Sequence, residues 1–181
     1  EGYNKSLKIL SKYIKLKYKK YKSGTKIFDW EVPKEWVVKK AYIKFKSKKI
    51  LDYKNSNLHL INYSTKINKK INLNELKSKI HTLPSLPNNI PYVTSYYKKN
   101  WGFCASHNFK KKLKKGIYNC VIESSFKNSN LINGYTEIKG TSKKINLLTT
   151  YLCHPSLANN ELSGPLVMIG LYNAIKKWSK K

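Results

Sequence analysis

One histidine and two polar residues that follow it have the types and spacing of metal ligands. The run from His154 to Gly164 reads HPSLANNELSG, which places Asn160 and Glu161 shortly after the histidine. An imidazole nitrogen and a side-chain oxygen near the start of the following helix are ligands that zinc accepts, with further ligands supplied from elsewhere. The sequence contains no HExxH motif. It therefore lacks the arrangement of the HExxH metalloproteases, in which two histidines of one helix bind the zinc.

The same residues also have a purely structural interpretation. Asn160 could cap the N-terminus of a helix, and Glu161 could be a first-turn carboxylate favoured by the helix dipole. Ser163 and Gly164 could allow close packing, and His154 could be a buried histidine whose hydrogen bonds are satisfied. Spacing alone leaves both interpretations open, since two polar residues do not make a metal site.

The elements on either side favour a functional interpretation. Residues 147–152 are apolar or β-branched on both faces, which predicts that 145–153 is a buried central strand of an α/β sheet. A helix is predicted from Glu161 to about Trp178. Ligands of open α/β sheets bind beyond such strand ends, where His154 lies. Cys153 and Cys104 are interpreted as small buried hydrophobic residues rather than reactive thiols.

The rest of the chain predicts short elements of both types. The pattern from Trp36 to Ser64 is that of short antiparallel strands separated by Lys, Asn and Ser turns. Asn72 followed by Glu75 resembles a capping box for a helix that ends near His81. Further elements are predicted as a helix at 6–14, a helix at 106–113 and strands at 117–126 and 131–138.

Charge suggests a polyanionic partner, but the residue types argue against it. The net charge is +28, a field that attracts nucleic acid or anionic membranes. Every basic residue among the 37 is lysine, and arginine is the preferred residue for bidentate phosphate and guanine contacts. We therefore do not expect nucleic acid as the partner. A basic nucleic-acid-binding module is kept as an alternative function that only the charge supports.

Cysteine usage and hydropathy bear on the compartment. Three cysteines without CxxC spacing favour neither a disulfide framework nor a zinc knuckle, so a reducing compartment is expected. No apolar run approaches the ~18 residues of a membrane span, and no secretory leader is recognisable. We expect a cytoplasmic protein without a membrane partner. The chain begins with Glu1 rather than methionine, and it is expected to be an N-terminal fragment.

Three long strings resemble one family. They are CHPSLANNELSGP at 153–165, SGTKIFDWEVPKEW at 23–36 and HTLPSLPNNIPYVTSYYKKNWGFCASHN at 81–108. All three are similar to an aminopeptidase-like family catalogued as domains of unknown function and related to the di-zinc exopeptidases. The resemblance covers nearly the whole chain, and it rests on long aromatic-rich strings rather than short patterns.

The resemblance implies a zinc-exopeptidase-like α/β/α core, incomplete in this chain, with an inserted small antiparallel β-rich domain. The implied division is 1–24 for the start of the core, 25–106 for the insert and 107–181 for the continuing core. It also implies a metal-binding role for His154. The position of the family's bridging aspartate falls on Asn160, and Glu161 is the nearest carboxylate that could replace it. One or two zinc ions are therefore expected at His154, Asn160 and Glu161.

The function implied is a zinc-dependent aminopeptidase-like hydrolase that cleaves a peptide or small amide with metal-activated water. In such families the remaining ligands and the acid/base carboxylate lie in the second half of the fold, so the catalytic residues are not identified here. A catalytically silent scaffold of the same family is the alternative, because a neutral amide is a poor bridge between two cations.

Overall fold

The computed structural model describes residues 2–154 and 156–179, which form a mixed α/β protein with small, mainly antiparallel sheets. In chain order the elements are α1 (Gly2–Leu10), β1 (Lys17–Lys22), β2 (Lys26–Ile27), β3 (Trp30–Glu31), β4 (Glu35–Phe45), β5 (Lys48–Asp52), a 3-10 helix (Asn57–His59), β6 (Ile67–Asn72), α2 (Leu73–Lys79), β7 (Ile80–His81), β8 (Phe103–Cys104), α3 (His107–Lys111), β9 (Ile117–Lys127), β10 (Asn130–Tyr135) and α4 (Ala158–Trp178).

These elements fall into two compact units. The first combines Glu1–Val32 with Asn130–Lys181, and the second is Pro33–Ser129. The sequence-based division at residues 24 and 106 was drawn for an insert in a zinc-exopeptidase core, and it stays a prediction.

The second unit is built on a four-stranded antiparallel sheet in the order β5-β4-β9-β6. Strand β9 alternates in the way its sequence requires, and its residues Tyr118, Cys120 and Ile122 are almost fully buried. They pair with β4, where Ala41 opposes Ile122 and Ile43 opposes Cys120. Because alternate residues of a strand point to the same face, these side chains form one side of the core.

Helix α2 closes the same core and begins where the sequence predicts. The side-chain oxygen of Asn72 accepts a hydrogen bond from the Glu75 backbone N–H at 3.0 Å, which satisfies one of the free donors of the first turn. Leu76 then points inward and is fully buried. The N-cap predicted from the Asn72 and Glu75 spacing is confirmed.

The first unit contains two-stranded sheets, α1 and α4. Strands β1 and β10 pair antiparallel, with Tyr18 opposite Gly134. An added Cβ at Gly134 would lie 3.2 Å from Leu16 and 3.4 Å from Leu7. A glycine at this position therefore lets α1 pack closely against β10.

The predicted central strand at residues 145–153 is not present as a strand. Within the described part of the chain these residues pair with no neighbouring strand, and Ile145 and Leu147 are 88% and 81% exposed. The apolar pattern predicted burial, but a strand exists only with a partner for its backbone hydrogen bonds, and these residues have none within the described part of the chain. The prediction of a buried strand was wrong for this structure.

Helix α4 extends from Ala158 to Trp178, three residues earlier than the predicted start and with the predicted end. Its N-cap is Leu157, which makes no side-chain capping bond. The interpretation of Asn160 as an N-cap was therefore wrong, because Asn160 lies inside the first turn. Across 2–154 and 156–179, no helix combines the length and apolarity that a membrane crossing requires.

Candidate metal centre

The beginning of α4 folds back against the residues that precede it. As a result, one potential ligand atom from each of Cys153, His154 and Glu161 lies within 4.8 Å of the other two. All three residues belong to the first unit and span a short stretch of sequence. The sequence-predicted ligands His154 and Glu161 are thus close together, and Cys153 joins them.

Glu161 is the buried member of this cluster, with 6% of its surface exposed. Its carboxylate accepts a short hydrogen bond from the backbone N–H of Cys153. Its other oxygen lies 3.9 Å from the Cys153 sulfur. Burying a carboxylate is costly unless polar groups compensate for the lost water, and the Cys153 N–H and the N-terminal end of α4 both do so.

Tyr151 connects the other two polar residues of the segment. Its ring lies edge-on to the His154 ring, with the centroids 6.1 Å apart and the planes at 72°. Its hydroxyl accepts a hydrogen bond of 2.9 Å from the side-chain amide of Asn160. The Asn160 amide nitrogen is therefore directed to Tyr151, and the role of Asn160 as a metal ligand stays a prediction.

Cys153 is exposed, whereas Cys104 and Cys120 are buried. The sequence-based interpretation of a small buried hydrophobic residue is thus confirmed for Cys104 and wrong for Cys153. Surrounding protein atoms raise the pKa of the Cys153 thiol, and the negative charge of Glu161 raises it further. A metal ion that replaces the thiol proton would remove this repulsion.

Tyr3 of α1 lies close enough to Cys153 to be affected by its charge. Tyr3 of α1 donates a short hydrogen bond to the backbone carbonyl of Ile132 in β10. Burial raises the pKa of the Tyr3 hydroxyl, and nearby Cys153 adds to the effect. The phenol therefore stays protonated at neutral pH and keeps its role as donor.

A glycine allows α4 to approach the segment closely. A Cβ added at Gly164 would overlap the hydroxyl oxygen of Thr150 and lie 3.2 Å from the Thr150 Cβ. The same surface continues as an open, mainly apolar groove that includes Leu148, Val167 and Leu171. The close approach expected at Gly164 is confirmed, but packing on a sheet is not, since Thr150 lies outside any strand.

Cys153 was missed because the sequence was interpreted with the geometry of a strand. In a strand, neighbouring residues point to opposite faces, so Cys153 and His154 would diverge. The available signal was chemical: a thiol next to a histidine, followed by a carboxylate, is a set of zinc ligand types. The remaining histidines lie in the second unit, where His59 contacts the Cys104 carbonyl at 2.9 Å and His107 contacts Thr82 at 3.2 Å.

The chain is similar to a curated protein and to a solved structure, both from Clostridium acetobutylicum. It is 43% identical to one described as a "putative polysaccharide biosynthesis protein with aminopeptidase-like domain", over 99% of this chain and 42% of that protein. A crystal structure of a "putative peptidase" from the same organism matches 97% of this chain with a TM-score of 0.88, again at 43% identity. The chain spans 42% of that structure's length as well.

The sequence signature of a family described as a domain of unknown function, DUF2172, matches residues 35–125. This match covers half of the chain and includes the four-stranded sheet of the second unit except for the last two residues of β9. The resemblance to an aminopeptidase-like family catalogued under unknown function is thereby confirmed. The chain belongs to the DUF2172 family, and its relatives carry aminopeptidase-like and peptidase descriptions.

Proposed function

We propose that this chain carries the zinc-binding part of an aminopeptidase-like hydrolase, with His154 and Glu161 as ligands. The observation that carries the proposal is the convergence of His154, Glu161 and Cys153 within 4.8 Å. The relatives' descriptions as aminopeptidase-like protein and peptidase support the reaction class. The chain covers less than half of each relative, so the activity proposed is that of a larger protein.

The donor set fits zinc. Nitrogen, sulfur and carboxylate oxygen are the ligand types of zinc sites, and a catalytic zinc uses three protein ligands with a fourth position for water or substrate. The potential ligand atoms of the three residues lie within 4.8 Å of one another, as ligands of one ion must lie close together. Zinc at such a site supplies Lewis-acid chemistry for amide hydrolysis by acidifying water and polarising a carbonyl.

The residues of this chain contribute orientation. The Cys153 N–H holds the Glu161 carboxylate, and the Tyr151 and His154 rings pack in a T-shaped arrangement. Asn160 fixes the Tyr151 hydroxyl, so it acts on His154 through Tyr151. The sequence-based assignment of Asn160 as a ligand is kept as a weaker part of this proposal, since a neutral amide binds cations less well than a carboxylate.

We further propose that the first unit forms part of an α/β/α core of zinc-exopeptidase type, into which the β-rich module is inserted. The exposed apolar residues Leu147 and Leu148 fit a segment that becomes a sheet strand beside further chain. We propose a peptide or small amide as substrate. The three free cysteines support a reducing, cytoplasmic location.

A silent scaffold is the second candidate, and Asn160 is the observation that favours it. A di-metal hydrolase needs an anionic bridge, whereas Asn160 offers a neutral amide that is bonded to Tyr151. Such a protein would bind zinc, or fold without it, and hydrolyse nothing.

The test is an aminopeptidase assay of the purified protein, as wild type and as His154→Ala. Substrates are amino-acid nitroanilides, short peptides and an N-acylated amino sugar, because one relative's description names polysaccharide biosynthesis. Turnover that disappears with a chelator, returns with zinc and is absent in His154→Ala would support the hydrolase. A protein that retains zinc but releases no product from any substrate would favour the silent scaffold.

A further inference from the structure

The thiol of Cys153 lies beside the two proposed zinc ligands, His154 and Glu161. Its sulfur is 3.9 Å from Glu161 Oε1, and His154 is the next residue. Cys153 is an exposed residue, whereas Glu161 is buried. The three potential ligands are thus the thiol of an exposed residue, the imidazole of the half-buried His154 and the carboxylate of the buried Glu161.

We propose that Cys153 is a direct zinc ligand and that the metal site of this chain is Cys153, His154 and Glu161. This inference rests on the proposed zinc function and names its third ligand. On binding, the thiol proton passes to solvent, because the thiolate is the form that coordinates metal. The three ligands leave the fourth tetrahedral position for water or substrate.

Charge balance favours Cys153 over Asn160 as the third ligand. A thiolate and a carboxylate together carry two negative charges, which neutralise a divalent zinc with a neutral imidazole. Replacing the thiolate by the Asn160 amide would leave one positive charge in a chain whose net charge is already +28. The Asn160 amide nitrogen is also directed to Tyr151 rather than to the cluster.

The backbone supports this ligand set as a unit. The Cys153 N–H donates to Glu161, so the residue that supplies sulfur also orients the carboxylate. Oriented ligand carboxylates of this kind are a general feature of metal sites, where the surrounding hydrogen bonds hold each ligand in place. All three ligands lie within residues 153–161, so the site does not depend on the second unit.

The other two thiols cannot take over this role. Cys104 and Cys120 are fully buried in the second unit, and burial raises the pKa of each to about 12. They therefore remain protonated and inaccessible at neutral pH. A variant that lacks only Cys153 still contains Cys104 and Cys120. Any sulfur coordination by these two thiols would therefore persist in that variant.

The experiment is a cobalt(II) titration of the reduced chain followed by ultraviolet and visible absorption. Wild type is expected to show a near-ultraviolet sulfur-to-cobalt charge-transfer band that saturates at one ion per chain, together with visible bands. Cys153→Ser is expected to lose the charge-transfer band and to bind zinc at least about tenfold more weakly, since loss of even outer groups costs 10–100-fold. Circular dichroism of each variant shows that the fold is retained.

The outcomes separate this inference from the function on which it rests. Visible cobalt bands without the charge-transfer band, or a band that persists in Cys153→Ser, would overturn the assignment of Cys153 and leave a zinc site at His154 and Glu161 standing. Absence of any cobalt spectrum would also overturn it, and the zinc content of the protein then decides the proposed function independently.

Discussion

The carboxylate of Glu161, in the first turn of α4, accepts a hydrogen bond from the backbone N–H of Cys153. This contact joins the helix to the segment that carries His154, and it involves the one glutamate among the buried polar residues of the described chain. The effects of losing the Glu161 charge and of losing the hydrogen bond can be separated, because glutamine at this position keeps the acceptor and loses the charge.

Glu161→Gln is expected to weaken zinc binding at least about tenfold with little change in stability, since the amide oxygen still accepts from Cys153. Glu161→Ala is expected to cost a further ~1–3 kcal/mol of stability, because the Cys153 N–H loses its acceptor. Zinc competition and urea unfolding measure the two effects. Glu137→Gln, at an exposed position of the same unit, is the matched control for loss of charge. Equal zinc affinity in Glu161→Gln and Glu137→Gln would contradict the ligand role.

Gly164→Ala tests the close approach of α4 to residue 150. The new methyl group would overlap the Thr150 hydroxyl, so we expect destabilisation of about 1–3 kcal/mol and weaker zinc binding. Gly170 lies in the same helix with no atom within 4 Å of an added Cβ. Gly170→Ala should therefore stabilise by up to ~1 kcal/mol through helix propensity. Thermal unfolding of the two variants distinguishes them, and equal shifts would contradict the packing argument.

Thiol chemistry is expected to single out one cysteine. Only Cys153 is exposed, whereas burial raises the pKa of Cys104 and Cys120 to about 12. A disulfide reagent at pH 8 should therefore modify one thiol per native chain rapidly and all three after denaturation, because the thiolate is the reactive form. Zinc should slow the native reaction. Rapid modification of more than one thiol in the folded chain would contradict the burial of the other two.

The stability of the second unit is expected to fall on mild acidification, in part through His81. His81 is exposed, but partial desolvation by neighbouring protein atoms lowers its pKa below the ordinary value of 6.5, and the charges of Lys110 and Lys79 lower it further. The unfolded chain then binds more protons than the folded chain between the lowered pKa and pH 6.5, so stability rises with pH across that window. His81→Asn should show a smaller loss of urea midpoint between pH 7.5 and pH 5. A variant with the same loss as wild type would contradict this contribution.

Local signals were sufficient for much of the fold. The end of α4, the N-cap at Asn72 and strand β9 follow from periodicity and capping within a few residues of sequence. The position of β9 between β4 and β6 could not be predicted, because it depends on pairing between residues that are distant in the chain. The pattern at 145–153 indicates burial, but whether such a segment forms a strand depends on a partner that sequence periodicity does not supply.

The site was also predicted only as far as local sequence signals allow. The proximity of His154 and Glu161 follows from a loop that returns to a helix start, which is visible in the sequence. The Asn160 contact with Tyr151 and the orientation of Cys153 toward Glu161 depend on side-chain directions after the chain leaves strand geometry. The rule that alternate residues of a strand point to the same face does not apply to a segment that is not a strand.

The most direct test of the zinc site is elemental analysis of the purified chain after zinc has been supplied and the excess removed. We predict one zinc per chain in wild type, much less in His154→Ala, and an unchanged content in His107→Ala, whose histidine lies in the second unit. A wild-type chain without zinc, or a His154→Ala variant that retains as much zinc as wild type, would contradict the central claim.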